Sequence, residues 1–222
     1  MADTWGAERG LKRFEGFTDA VFAIALTLLI VEIKPPGSPE GPRVGASLWH
    51  AIAEQWHEDL ALLVSFLAIG VYWLQHHYTG RIYSKSDHGF SAINLFFLLA
   101  VMVLPYPIRV WSFHVGTVHE ASASLVLTIG LLLPALFWMA KWFYARPRSL
   151  MDKRLAPDFV SQMTRRYAIS TGLYAVAVAL SLVAPRLGVA LSFLVILFYL
   201  LPQPKPRYQP GMEPDEEEAT SE

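Results

Sequence analysis

Residues 13–33 read RFEGFTDAVFAIALTLLIVEI, where Asp19 sits just inside a long apolar run that Glu15 precedes and Glu32 closes. A helix that crosses a bilayer needs about 20 mostly apolar residues, within a range of about 17 to 25. The stretch from Leu11 to Ile33 meets that length. A charge within such a helix costs about 2.5–3.5 kcal/mol at mid-bilayer and less near the end. Asp19 must therefore face protein or water and find a partner. Arg13 lies six residues earlier, about 120° away around the helix, and only pairs three or four residues apart are neighbours. Each of the two is expected to find its partner on another segment.

The same wheel sorts the rest of the stretch. Ala20, Ile24, Thr27, Leu28 and Val31 fall on one face, within about 100°. Phe22, Leu26, Ile30 and Ile33 fall opposite, and Asp19 goes with them. One face thus carries a polar anchor, and the other is a smooth apolar stripe with a single hydroxyl. The ordinary reading of such a stripe is lipid contact or core packing.

Five more apolar stretches follow, at 56–78, 90–108, 121–140, 168–184 and 187–201. With 11–33 they make six expected transmembrane helices in a chain of 222 residues that is 54% apolar and 17% charged. They are continuously apolar, unlike barrel strands, which alternate. No small-residue cleavage site follows the first stretch before the prolines of KPPGSPEGP, so it does not read as a removable signal. The expected fold class is an all-α integral membrane protein. From Pro202 the chain turns to prolines and acids, and 202–222 is expected to be a disordered tail. Pro105, Pro107 and Pro134 are expected at helix ends or kinks.

Alternating helices place Arg9, Lys12, Arg13, Arg81, Lys85, Lys141, Arg146, Arg148, Lys153, Arg154, Arg165, Arg166, Lys205 and Arg207 on one side of the membrane. Lys34, Arg43, Arg109 and Arg186 fall on the other. Lys and Arg collect in cytoplasmic loops, so both termini are expected to be cytoplasmic in a multi-pass protein of the cell (plasma or inner) membrane. Trp56, Trp73, Trp111, Trp138 and Trp142 lie near the ends of the stretches, where interfacial belts sit.

The net charge of −1 gives no bulk attraction to nucleic acid, and the absence of cysteine excludes thiolate metal sites and disulfides. No phosphate-binding glycine loop, catalytic triad pattern or zinc-protease motif is present, so no enzyme activity and no cofactor is expected. His50, Glu54, His57, Glu58 and Asp59 cluster before the second stretch, but seven residues between histidines is not a diagnostic ligand spacing. A solvated helical face whose acids concentrate cations is the expected role.

Arg13-x-x-x-Phe17-Thr18-Asp19 resembles the Arg-x-x-x-Phe-Ser-Asp signature of the lysosomal transmembrane potassium channel family and its bacterial homologues. VYWLQHHY, at 71–78, resembles that family's Tyr-Trp-x-x-His segment. INLFFLLAVMVLPYP, at 93–107, resembles its Asn-Leu-x-Phe-Leu…Leu-Pro-x-Pro segment. The motifs fall in residues 9–108, and the second half matches in helix number and length only. Thr18 departs from the usual serine, which keeps the hydroxyl and adds a methyl to be housed.

The resemblance implies a potassium-permeable channel without a carbonyl filter, and the chain has no Thr-Val-Gly-Tyr-Gly loop. It also implies one six-helix unit per chain, assembly as a homotetramer, and a pore lined by the first helix. Carried over by spacing from the signature aspartate, Ile24 becomes the narrow apolar constriction. Leu28 and Val31 become further apolar layers, with Thr27 as a hydroxyl ring between them. The expected function is a passive channel with modest preference for K+ over Na+. Arg13, Phe17, Thr18 and Asp19 become a structural motif, with His76 or His77 and Asn94 as candidate hydrogen-bond partners. A secondary transporter is the main alternative, although such proteins tend to carry discontinuous helices and charges at mid-bilayer. A non-conducting membrane scaffold is another, and it has no need of the signature.

Overall fold

The computed structural model describes residues 2–45, 47–80 and 82–214, with residues 2–12 as backbone only. The side chains of Arg9, Lys12 and Arg81 and the acidic stretch 215–222 lie outside the described residues. The elements are α1 (Ala2–Leu28), a 3-10 turn (Leu29–Glu32), α2 (Leu48–Glu54), α3 (Trp56–Thr79), α4 (His88–Val103), α5 (Pro105–His114), α6 (Glu120–Ala145), α7 (Pro157–Ser181) and α8 (Pro185–Leu200). No strand occurs among the described residues; two isolated backbone bridges do.

Among the described residues four segments are long and apolar enough to cross a membrane: Arg13–Glu32, Trp56–Thr79, His88–His114 and Glu120–Ala145. The third is a single span in length but not a single helix. It breaks at Leu104, because Pro105 brings no N–H to continue the ladder and begins α5 as its first residue. Pro134, by contrast, sits inside an unbroken α6.

Expected boundaries in the second half move most. The fourth stretch does not stop at Ala140 but runs to Ala145, which carries Lys141 into the helix and buries it. Lys141 therefore leaves the loop charges on which the orientation argument rests. The fifth begins at Pro157 rather than 168. Its extra turns bury Phe159, Met163 and Tyr167, spaced four apart, while Asp158, Gln162 and Arg165 stay outside. Tyr167 meets Trp142 edge to face at 5.0 Å. Trp138 and Trp142 are thus core residues, 6% and 0% exposed, and not members of an interfacial belt.

α1 packs on α3 and α4, while α6 packs on α4, α5, α7 and α8. α7 and α8 form a hairpin closed at Gly188. A Cβ there would stand 2.2 Å from Ser181 Oγ and 2.5 Å from the Ala177 carbonyl oxygen. Gly188→Ala is therefore expected to force the two helices apart at a cost of about 1–3 kcal/mol. A lower Tm of the detergent-solubilised protein reads this out. Gly172→Ala, on α7 with open space around the position, is expected to leave Tm unchanged or slightly higher.

The connections knit together at one end. Ser84 N–H donates to the Leu150 carbonyl at 2.9 Å and Asp152 N–H to Ile82 at 2.8 Å. The proline-rich segment after α8, expected to be disordered from Pro202, is tied in as well. Ala156 N–H donates to the Arg207 carbonyl and Gln209 N–H to that of Arg154, both at 2.8 Å, and the Tyr78 hydroxyl donates to the Pro204 carbonyl. The prolines lack donors, but the residues between them supply enough backbone groups to pair with the α6–α7 connection. At the opposite end Arg109 bridges Glu32 (3.1 Å) and Glu58 (3.5 Å), and Arg186 clasps Glu120 at 2.8 Å.

Candidate pore helix and its polar anchor

The signature residues on α1 divide by direction. Thr18 points into the bundle and is fully buried, together with Phe22 and Leu29. Its hydroxyl donates to the Phe14 carbonyl at 3.0 Å, one turn back, and accepts from Asn94 Nδ2 at 3.1 Å. Asn94 Oδ1 in turn accepts from Lys141 Nζ at 3.1 Å. One relay of side chains thus joins α1, α4 and α6.

Lys141 is 1% exposed, with its ammonium 4.3 Å from the Trp138 ring centre and 5.1 Å from that of Phe97. Tyr83 and Phe90 complete the surround, at 5.9 and 5.7 Å. Among the described residues no acid stands within ion-pair distance. Ring faces and one amide oxygen solvate the charge instead, and cation–π contacts strengthen where water is excluded. Sequence reasoning missed Lys141, because the apolar stretch was ended at Ala140 and left the lysine among the loop charges.

Asp19 is not on the buried face. It sits at that face's edge, exposed, where its Oδ1 accepts from Trp73 Nε1 on α3 at 3.2 Å. The donor on α3 is therefore a tryptophan and neither histidine. His77, also exposed, stacks on Trp73 at 5.9 Å and so steadies the donor. His76 is buried and packs against Phe22 (6.1 Å) and Phe14 (6.5 Å), without bonding to Thr18 or Asp19. Arg13 and Phe17 face outward, away from this network. Among the described residues no hydrogen bond or ion pair ties Arg13 to another segment.

The opposite side of α1 is bare. Ile24, Leu28 and Val31 are 57%, 56% and 60% exposed, and Ala20 and Thr27 are exposed with them. The Thr27 hydroxyl bonds back to the carbonyls of Ala23 (2.9 Å) and Ile24 (3.1 Å). That uses its proton and leaves its acceptor lone pairs free. Within an 18-residue apolar stretch of the Arg13–Glu32 span only 17% of residues are buried, against 44%, 39% and 44% in the matching stretches of the other three spans.

The acidic and histidine cluster before α3 resolves into separate contacts. His50 pairs with Glu54 at 3.1 Å, His57 Nδ1 meets the Ser112 carbonyl, and Glu58 meets Arg109. No group of three potential ligands gathers among the described residues.

A helix anchored on one side through the signature and bare on the other invites comparison with known proteins. A family model described as the endosomal/lysosomal potassium channel TMEM175 matches residues 13–105, from the signature arginine to the proline that breaks α4 from α5. A potassium channel of Streptomyces collinus is 33% identical over 189 residues, which is 84% of this chain and 90% of that protein. The chain belongs to the TMEM175 family. A second TMEM175 relative, a potassium channel of Chamaesiphon minutus, is 32% identical over 190 residues, or 85% of this chain and 93% of its own length. The crystal structure of a lysosomal potassium-selective channel TMEM175 homolog from Chamaesiphon minutus matches with a TM-score of 0.74 at 30% identity. That match covers 87% of this chain and 98% of that one. The family places the chain among ion channels, which are not an enzyme class, and makes it a multi-pass membrane protein.

Proposed function

We propose that the protein is a passive, modestly potassium-selective channel in which four copies surround an axis lined by α1. The observation that carries this reading is the bare face of α1. A helix that buries only 17% of an 18-residue apolar stretch within its own chain has its remaining surface for lipid or for other copies of itself. Lipid contact leaves two facts without a reason. The stripe carries a hydroxyl whose acceptor side points outward, and two signature residues, Arg13 and Phe17, point outward as well. In a homotetramer, Arg13 and Phe17 meet the neighbouring subunit, while Ile24, Thr27, Leu28 and Val31 meet the axis.

The physics of conduction then follows. A ring of four Ile24 side chains is a hydrophobic neck, which gates by dewetting. Ions pass when α1 moves outward or rotates, and the ion that sheds water more readily, K+ before Na+, passes preferentially. Four Thr27 oxygens one turn beyond offer weak coordination to the partly dehydrated ion. All six apolar segments, including α7 and the short α8, cross the membrane in this arrangement. Both termini lie on the basic, cytoplasmic side of the cell membrane. The related proteins named above are potassium channels, which supports the choice of ion.

The chain contains no cysteine, so single cysteines report cleanly. In the reconstituted protein, cysteine at 24, 27, 28 or 31 is expected to let a small thiol-reactive cation block the current. Cysteine at 22 or 29, on the buried face, is expected to be inert. Equal block on both faces, or block at neither, overturns the assignment of α1 to the pore.

A further inference from the structure

α7 and α8 border an open groove of about 470 Å³. Its walls are apolar and exposed, formed by Ile169 and Leu173 on α7 and Leu194 and Phe198 on α8. One end is cationic, with Arg165 and Arg166 both lining it. The Arg166 guanidinium lies over the rings of Phe198 (4.7 Å) and Tyr199 (5.3 Å), and its Nε is buried without a hydrogen-bond partner among the described residues. The nearby acid, Asp158, is already engaged by Arg207 at 3.2 Å, and Arg207 also donates to Gln162 on the groove's rim at 2.7 Å. No carboxylate among the described residues pairs with Arg165 or Arg166.

We propose that this groove binds an anionic phospholipid, with the phosphate on Arg165 and Arg166 and an acyl chain laid along Ile169, Leu173, Leu194 and Phe198. Charge complementarity selects the occupant. A free anion uses the guanidiniums and leaves the apolar trough empty. An uncharged lipid or an apolar helix of a second copy fills the trough and leaves two arginines desolvated without a counter-charge, which is costly. A molecule with an anionic head and an apolar tail satisfies both, and basic pockets between transmembrane helices have this chemistry. Guanidinium forks match phosphate oxygens bidentately. The groove lies on α7 and α8, whereas α1 packs on α3 and α4, so the lipid does not occupy the face assigned to the pore.

The test is native mass spectrometry of the full-length protein released from bilayers of phosphatidylglycerol and phosphatidylcholine in equal parts. Wild type is expected to retain phosphatidylglycerol. R165Q/R166Q is expected to retain about thirty-fold less, roughly fivefold for each cation near a membrane surface. Leu194→Trp, which fills the trough without changing charge, is expected to lose the lipid too. K85Q/R148Q, at the same end of the bundle but outside the groove, is expected to behave as wild type. Retention by R165Q/R166Q overturns the site. So does retention by Leu194→Trp, or displacement of the lipid by soluble glycerol phosphate, either of which reduces it to an anion site without a chain. If R165Q/R166Q fails to fold, a photoreactive phosphatidylglycerol on wild type decides. Labels within 162–173 and 191–198 support the proposal. Labels elsewhere, or cross-links between copies across α7 and α8, overturn it.

Discussion

Asn94→Leu is expected to remove most of the folded protein from the membrane, and Lys141→Met added to it is expected to restore a large part. Asn94 holds the relay from both sides, donating to Thr18 and accepting from Lys141. The two bonds differ in weight. A neutral hydrogen bond between helices in a membrane averages about 0.6 kcal/mol and reaches about 1.7. An ammonium shut inside protein loses more when its one acceptor goes, because a buried donor left unsatisfied costs about 1–3 kcal/mol and a charged one more. Lys141, 1% exposed and surrounded by rings, has no route to water that keeps the bundle packed. Thr18→Val, which keeps shape and removes only the hydroxyl, is therefore expected to cost about 1 kcal/mol, within the range for such bonds. Asn94→Leu is expected to cost several times more. In N94L/K141M the stranded charge is gone, and an apolar side chain of similar length fills its place. Size-exclusion yield and Tm of the four proteins read the cycle. If Asn94→Leu and Thr18→Val cost the same, the charge on Lys141 is not what makes the relay sensitive.

Ile24→Asn is expected to raise the current several-fold and to flatten its dependence on whatever widens the neck. Asparagine is close to isoleucine in length but presents an amide to the axis. Four amides keep water in a constriction that four isoleucines expel, and the dewetting barrier falls. Ile24→Val, which stays apolar and slightly widens the ring, is expected to raise current while keeping most of the ion preference. The pair separates size from wetting. Single-channel recording in planar bilayers distinguishes them, and equal effects of the two substitutions point to width alone.

The first half of the chain was legible because its signals are local and strong. In the 21 residues RFEGFTDAVFAIALTLLIVEI, an apolar stretch that holds Asp19 between Glu15 and Glu32 states a spanning helix and the need for a partner in one reading. The partner could not be read as easily. Trp73 looked like an interfacial belt residue, and only the packing of α3 on α1 brings its indole N–H to Asp19. The neighbouring histidines, more polar by name, turn out to pack. The wheel placed Asp19 opposite Ile24, yet the buried face is centred on Thr18, Phe22 and Leu29. An edge position is a matter of tens of degrees, which the choice of neighbouring helices settles.

The second half hid its main feature at a boundary. An apolar window ends at Ala140, and the residue it leaves out, Lys141, is the most buried lysine or arginine among the described residues. Burial of a lysine depends on Asn94, forty-seven positions away, and no local pattern announces that. The 141–167 connection admits a short amphipathic piece on sequence alone, and Phe159, Met163 and Tyr167, repeating every four residues amid polar neighbours, make that piece the first turns of α7. Prolines after Leu201 suggested freedom, while the backbone groups between them found partners on the α6–α7 connection.

The most direct test of the pore on α1 is the reversal potential of the purified, reconstituted wild-type protein, with potassium on one side of a planar bilayer and sodium on the other. The account predicts a clear displacement toward the potassium equilibrium potential, and collapse of that displacement toward zero in Ile24→Asn. A displacement left unchanged by Ile24→Asn, or no current from protein shown to be folded and oligomeric, contradicts it.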